Sequence, residues 1–327
     1  MYELRTKLVD LSRTALPNIT EAPVVSFDDA CEKTYHNECL DPSTKACLRD
    51  VPLLASLVER YPNAGYPWWL LAEVAKGEGM HAESLRFYEL RANAYARALG
   101  SRHFCKGGMD DDENIGFCQF FEALHEQAEA TLKYGDVNVA KLIFEQMLFL
   151  APSDGFGARE YLPAIYLHQK DEDALVSLKT TFMGWFFPEV DLAFLALAIA
   201  DNRPLQAMYA LDSVIRMNKF VIYGLIGSKD LSPKVNTIDE VVSYMNSDLS
   251  HADEVLGHFD IAADALTQTI STVAEMFPKQ HLDNPVWTYP REGFKFDADP
   301  VEDHWNVLSF VIDSALSPQV ATDNSEV

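Results

Sequence analysis

The chain has 327 residues, 48% of them hydrophobic, so it can bury a large core. Its 50 acidic residues against 26 basic ones give a formal net charge of -24, the opposite of what phosphate-rich partners need. Nucleic acid and anionic membrane surfaces are therefore excluded as partners, and a protein or peptide, basic ones included, becomes the natural class. The first residues, Met1 to Asp10, lack an apolar core and a small-residue cleavage site, so they do not read as a signal peptide. Val190 to Ala200 is the longest apolar run, too short to span a bilayer and interrupted by Asp191. Five cysteines, an odd number in a chain too long to need covalent staples, point to a reducing compartment, and a cytoplasmic location is expected.

In chain order, residues 1–50 form an N-terminal extension without clear periodicity. A helix is predicted over Val51–Tyr61, at the front of a helical array extending to residue 277. The first hairpin is carried by Trp68, Leu71, Ala72, Ala75, Gly79, Ser84, Leu85 and Tyr88, in the spacing of a tetratricopeptide unit. Residues 100–114, rich in Gly and Asp, read as an insertion loop. The clearest unit follows, with Gly135 ending one helix, Ala140 at the close crossing, Phe144 four residues later and Pro152 at the closing turn. Ala174 lies 34 residues beyond Ala140 and Ala207 lies 33 beyond Ala174, each small residue followed by apolar positions at helical spacing. Further helices are predicted over Ile238–Met245, Gly257–Phe277 and Asp303–Ala315. Residues 278–300 read as an aromatic-rich ordered loop within a 278–316 segment, and residues 317–327 as a frayed tail. No run alternates in the manner of a strand. The expected fold is all-α, an α-solenoid of tetratricopeptide-like helical hairpins with irregular N- and C-terminal extensions.

Two passages resemble something narrower than a generic repeat. The turn Ala151, Pro152, Ser153, Asp154, Gly155, Phe156, Gly157, Ala158, Arg159 is similar to an Asn-Pro-x-Asp-x-x-Gly-x-Arg turn. The stretch from Met217 through Tyr223 to Lys229, followed by Asp239, Glu240 and Tyr244, is similar to a second signature of the same group. That group comprises bacterial tetratricopeptide proteins related to the suppressor-of-tumorigenicity-7 family. Ala151 stands where the group has Asn, and Lys219 and Phe220 stand where it has Pro and His. The resemblance covers about residues 120–260 and implies a scaffold. It supplies no catalytic residues.

The tetratricopeptide register places Tyr66, Trp69, Glu73 and Lys76, then Glu122, His125, Glu129 and Leu132, then Phe156, Arg159, Pro163 and Tyr166 on a concave face. Of these, Trp69, Glu73, His125, Glu129, Arg159 and Tyr166 are the candidate peptide-binding residues. Aromatics interleaved with carboxylates suit a segment that carries Lys or Arg between apolar anchors. Asp154 is placed to cap the helix after it, and Arg159 to pair with an acidic neighbour in the adjacent repeat. Cys31, Cys39 and Cys47, with His36 among them, lack the close Cys pair of a structural zinc site, so no metal is expected. Asp110 to Glu113 lack the ligand spacing of a calcium loop. No phosphate loop, dinucleotide turn, zinc-protease helix or nucleophile elbow occurs, so no cofactor is expected and the chain reads as non-enzymatic. Two other readings remain. One is a dedicated chaperone or neutralising partner of a basic protein. The other is an enzyme with a site in residues 278–305, where His281, Arg291, Asp303 and His304 could converge.

Overall fold

Helix starts are written locally into this chain, and the computed structural model shows them used. It describes residues 2–13, 31–32, 34–35, 50–110, 114–182, 188–225 and 254–276. Asp50 accepts the Leu53 amide at 3.1 Å and opens α2, Val51–Arg60, with Pro52 in its first turn; α1 is Tyr2–Ser12. Pro67 sits in the first turn of α3, Tyr66–Gly77, which the Gly79 turn (φ 71°) connects to α4, His81–Leu99. Asn114 accepts the Gly116 and Phe117 amides at the head of α5, Ile115–Tyr134. Asp136 accepts the Asn138 amide at 2.8 Å and opens α6, Val137–Leu150. These are short polar side chains satisfying helix-end donors that have no partner within the helix.

Further helices are α7, Ala158–Gln169; α8, Glu172–Thr181; α9, Pro188–Ala200; α10, Pro204–Leu225; and α11, Ala263–Met276. Among the described residues there is no strand, and the protein is mostly helical, as its periodicity predicts. Two compact units result, Met1–Leu162 and Pro163–Val327, with the division falling inside α7.

In the first unit, consecutive helices from α2 to α6 pack on one another, and α1 packs on α2, α3 and α4. Leu8 of α1 is buried with Leu54, Leu57, Trp68, Leu71 and Phe87, so the N-terminal helix contributes to this core. Trp68 stacks on Phe87 with ring centroids 6.2 Å apart. At the crossing of α3 and α4, Ser84 is buried and its hydroxyl donates to the Ala72 carbonyl at 3.0 Å. A larger side chain there would force the two helices apart. Residues 100–110, within the loop predicted at 100–114, are tied to α6. The Gly107 and Met109 amides donate to the Phe149 and Leu150 carbonyls, closing the end of α6, and Met109 is fully buried.

In the second unit α9 packs against α8, α10 and α11. It is apolar on every side and buried nearly all round, which is the behaviour of a central core helix. Its first-turn acids are buried too. Asp191 accepts hydrogen bonds from Lys179 and Ser213, and Glu189 lies 3.8 Å from His258. The turns joining α7 to α8 and α9 to α10 carry Lys170 and Asn202 in the left-handed region. The helix predicted over Gly257–Phe277 is split by a 3-10 turn at Phe259–Ala262 ahead of α11. The helices predicted at Ile238–Met245 and Asp303–Ala315, the 278–300 loop and the 317–327 tail lie outside the described residues. Among those described, no helix is long and apolar enough to cross a membrane.

Candidate functional site

Two adjoining depressions open on α5 in the first unit, and Glu126 lines both. The first, about 530 Å³, is bounded by Trp69, Glu73 and Lys76 of α3, Tyr88 of α4, and Glu126, Glu129, Lys133 and Tyr134 around the end of α5. Its acids are held in place. The Tyr88 hydroxyl donates to Glu73, and Lys76 pairs with the same carboxylate at 3.0 Å. Burial, together with the hydrogen bond to Glu73 and that carboxylate's charge, pushes the Tyr88 phenol well up, so it stays a neutral donor.

Glu126, which both depressions share, belongs to an ion-pair clasp. Arg91 of α4, with only 7% of its side chain exposed, reaches across to α5, 2.5 Å from Glu126 and 3.4 Å from Glu122. Its guanidinium also lies 5.9 Å from the centre of the Tyr95 ring. Burial raises the Glu126 carboxyl, against the pull of Arg91, and the neighbouring carboxylates Glu122, Glu73 and Glu129 add to the rise.

The second depression, about 570 Å³, is lined by Cys118, Phe121, Glu122, His125 and Glu126 of α5 and by Phe156. Phe156 stacks on Phe121 at 4.1 Å. His125 meets Phe144 and Tyr161 edge-on, and its Nδ1 is 3.9 Å from Glu129, which also accepts the Tyr161 hydroxyl. Burial lowers the His125 pKa despite the opposing Glu129 charge, so the imidazole is neutral at pH 7.

Phe156 is presented by the turn 151–157, and Asp154 organises that turn. Asp154 has φ 54°, is 5% exposed, and accepts the Ala158 and Arg159 amides at 2.8 and 3.0 Å. The cap predicted from the sequence is present, although Gly157 (φ 73°) stands between Asp154 and the helix. Arg159 lies 3.5 Å from the capping carboxylate itself. This local pair offsets a cation at a helix N-terminus.

Burial pushes Asp154 up to about 6 from its ordinary 3.8, outweighing the two amide bonds and Arg159. The folded carboxyl thus holds its proton more tightly than the unfolded one. The resulting stability is present below the unfolded pKa and is lost as pH rises through about 6. Asp154→Asn keeps the small polar residue suited to positive φ and removes the titration. Between pH 7 and pH 5 the native protein should gain about 1 kcal/mol that the variant does not, read from paired urea titrations. Parallel pH profiles would show that Asp154 does not titrate in this range.

Of the residues expected on the groove, Trp69, Glu73 and Glu129 line the first depression and His125 the second. Arg159 turns onto Asp154, and Tyr166 is buried in the second unit, 5% exposed. Tyr88, Arg91, Glu126 and Tyr161 were missed by the register, which looks only at chosen positions of each first helix. One usable signal was the Arg91 in the apolar stretch of α4, since a buried guanidinium demands carboxylates across the helix pair. The second unit has a depression of its own, about 340 Å³, lined by Val176, Phe194 and Tyr209 and by the pairs Glu172–Arg203 (2.6 Å) and Lys179–Asp191. Cys31 is buried, whereas His36, Cys39 and Cys47 lie outside the described residues, as do His281, Arg291, Asp303 and His304. Comparison with known proteins finds no family model that matches the chain and no match among curated proteins.

Proposed function

We propose that this protein is a non-enzymatic, cytoplasmic scaffold that holds a protein or peptide segment in the groove of its first unit. On this reading its hairpins are tetratricopeptide-like units of an α-solenoid, and the likeness of its two signature passages to the suppressor-of-tumorigenicity-7 relatives marks a shared scaffold role. The second helices of the hairpins, opening at Val137, Glu172 and Pro204, follow the spacing of Ala140, Ala174 and Ala207, which supports the repeat.

The observation that carries the functional reading is the pair of adjoining depressions on α5. They join aromatic surface from Trp69, Tyr134 and Phe156 to carboxylates from Glu73, Glu122, Glu126 and Glu129. That combination suits side-chain anchors flanked by hydrogen bonds and ion pairs more than it suits chemistry on a small substrate. The formal charge of -24 favours a second reading, a chaperone or neutralising partner dedicated to one basic protein.

Charge reversal tests the groove. Glu73→Lys with Glu129→Lys should reduce recovery of a co-purified partner at least about tenfold, since like charges placed opposite a bound cation cost several kcal/mol. Glu59→Lys on α2 with Glu145→Lys on α6, both outside the two depressions, serves as the charge-matched control. Equal recovery by both variants would remove the groove from the mechanism. Recovery of one basic protein in a strongly salt-sensitive manner would favour the second reading.

A further inference from the structure

The second depression differs from the first in one respect that bears on its occupant. Lys76 and Lys133 line the first, whereas the second has no lysine or arginine among its lining residues. Its wall is a pair of stacked rings, Phe121 and Phe156, and its rim carries Glu122 and Glu126 on one side of α5. The two carboxylates are not equally committed. Glu126 is 30% exposed and lies 2.5 Å from Arg91, which consumes it. Glu122 is 64% exposed and stands 3.4 Å from the same guanidinium, so most of its acceptor capacity is turned to solvent. His125 is uncharged at neutral pH and does not oppose a cation. The charged and titratable groups around it are Glu122, Glu126 and Glu129 on its own helix, Arg91 from α4 and the Tyr161 hydroxyl from α7. The cation at the start of α7 near Phe156, Arg159, is matched by Asp154.

We propose that this depression receives one cationic side chain, the guanidinium or ammonium of an arginine or lysine in the bound segment. Its flat or methylene surface packs on Phe156 and its charge pairs with Glu122. An aromatic face beside a carboxylate is the arrangement in which a cation gains from the ring quadrupole while keeping a hydrogen-bonded counter-ion. The inference rests on the groove reading and narrows it, because it assigns the chemistry of one anchor and the residues that read it.

The test uses the full-length chain labelled with 4-fluorophenylalanine and observed by fluorine NMR. Among the 19 phenylalanine signals, the one lost in Phe156→Leu reports the site. End-blocked Ala-Arg-Ala, Ala-Lys-Ala, Ala-Ala-Ala and Ala-Glu-Ala are titrated to roughly 20 mM, a range suited to a single anchor. The arginine or lysine peptide should shift the Phe156 signal saturably, and the alanine and glutamate peptides should not. Glu122→Gln, a change at an exposed and weakly held side chain, should weaken the response about threefold, the size of one partly exposed ion pair. A guanidinium that outcompetes the ammonium would assign the planar packing to Phe156, and the reverse order would assign a point charge to Glu122; either supports a cation site. No saturable shift, or equal shifts from the alanine and arginine peptides, overturns the proposal. A groove-dependent partner lost on reversing Glu73 and Glu129, with no cation response at Phe156, would refute this anchor and leave the scaffold reading standing.

Discussion

Replacing Arg91 with Met should lower the stability of the protein by about 2–3 kcal/mol, because it strips a counter-ion from a half-buried carboxylate. Arg91 is held between α4 and α5 with 7% of its side chain exposed, 2.5 Å from Glu126. Met matches the length of the methylene stem, so packing is largely kept and the loss reads the charge. Glu126 would then sit among Glu73, Glu122 and Glu129 without its cation, and its carboxyl is already raised by burial. The loss should therefore shrink as pH falls and Glu126 takes up a proton. Adding Glu126→Leu should restore most of the stability, since a buried ion pair is often replaceable by apolar side chains even when half of it is not. Urea titrations of the two single variants and the double variant give the coupling directly. A loss under about 0.5 kcal/mol for Arg91→Met would mean the clasp contributes no more than an exposed surface pair. The clasp holds Glu126, which lines both depressions, so the variant should also weaken partner binding where Lys141→Met on α6 does not.

Gly65→Ala should cost about 2–3 kcal/mol through steric overlap alone, with a fall of roughly 5–10 °C in the melting midpoint. Gly65 has φ -84° and ψ -23°, a conformation any residue adopts, so backbone freedom is not the reason for glycine here. A Cβ at this position would overlap the ring of Tyr95, which is fully buried. Tyr95 cannot swing aside in a packed interior without moving its neighbours, Arg91 among them. In a Tyr95→Leu background the same Gly65→Ala change should cost much less, and the difference measures the overlap. Gly77→Ala is the control. Nothing approaches within 4 Å of its added methyl group, and a helical Gly to Ala change should be neutral or stabilising by about 0.5–1 kcal/mol. Equal midpoints for the two alanine variants would show that α3 and α4 have room to relax.

How far the sequence reaches depends on the range of the forces involved. The Asp154 cap is legible because it is a bond between residues four or five apart, and the caps at Asp50, Asn114, Asp136 and Asp171, which the sequence reading did not name, are as local. Of the small residues that the helical period puts in one register, Ser84, Ala140 and Ala207 are buried and Ala174 is half-buried. Trp69, Glu73, Glu122, His125 and Glu129 follow from the same register and do line the depressions. Arg159 shows the limit of that register. The register puts it on the groove, yet it lines neither depression and lies 3.5 Å from Asp154, five residues upstream.

What the sequence by itself determined is thus the all-α class, the Asp154 cap and the excess of acid over base. All of these are set by contacts within a few turns or by composition. Only the tertiary structure decided which acids are spoken for. Tyr88 is committed to Glu73, Tyr161 to Glu129 and Arg91 to Glu126, partners 15, 32 and 35 residues apart in the chain. It alone also placed the loop 100–110 against the end of α6. The physical reason is one: a carboxylate's availability depends on the dielectric and the counter-ion around it. Those come from helices that chain folding brings together and that local periodicity does not record.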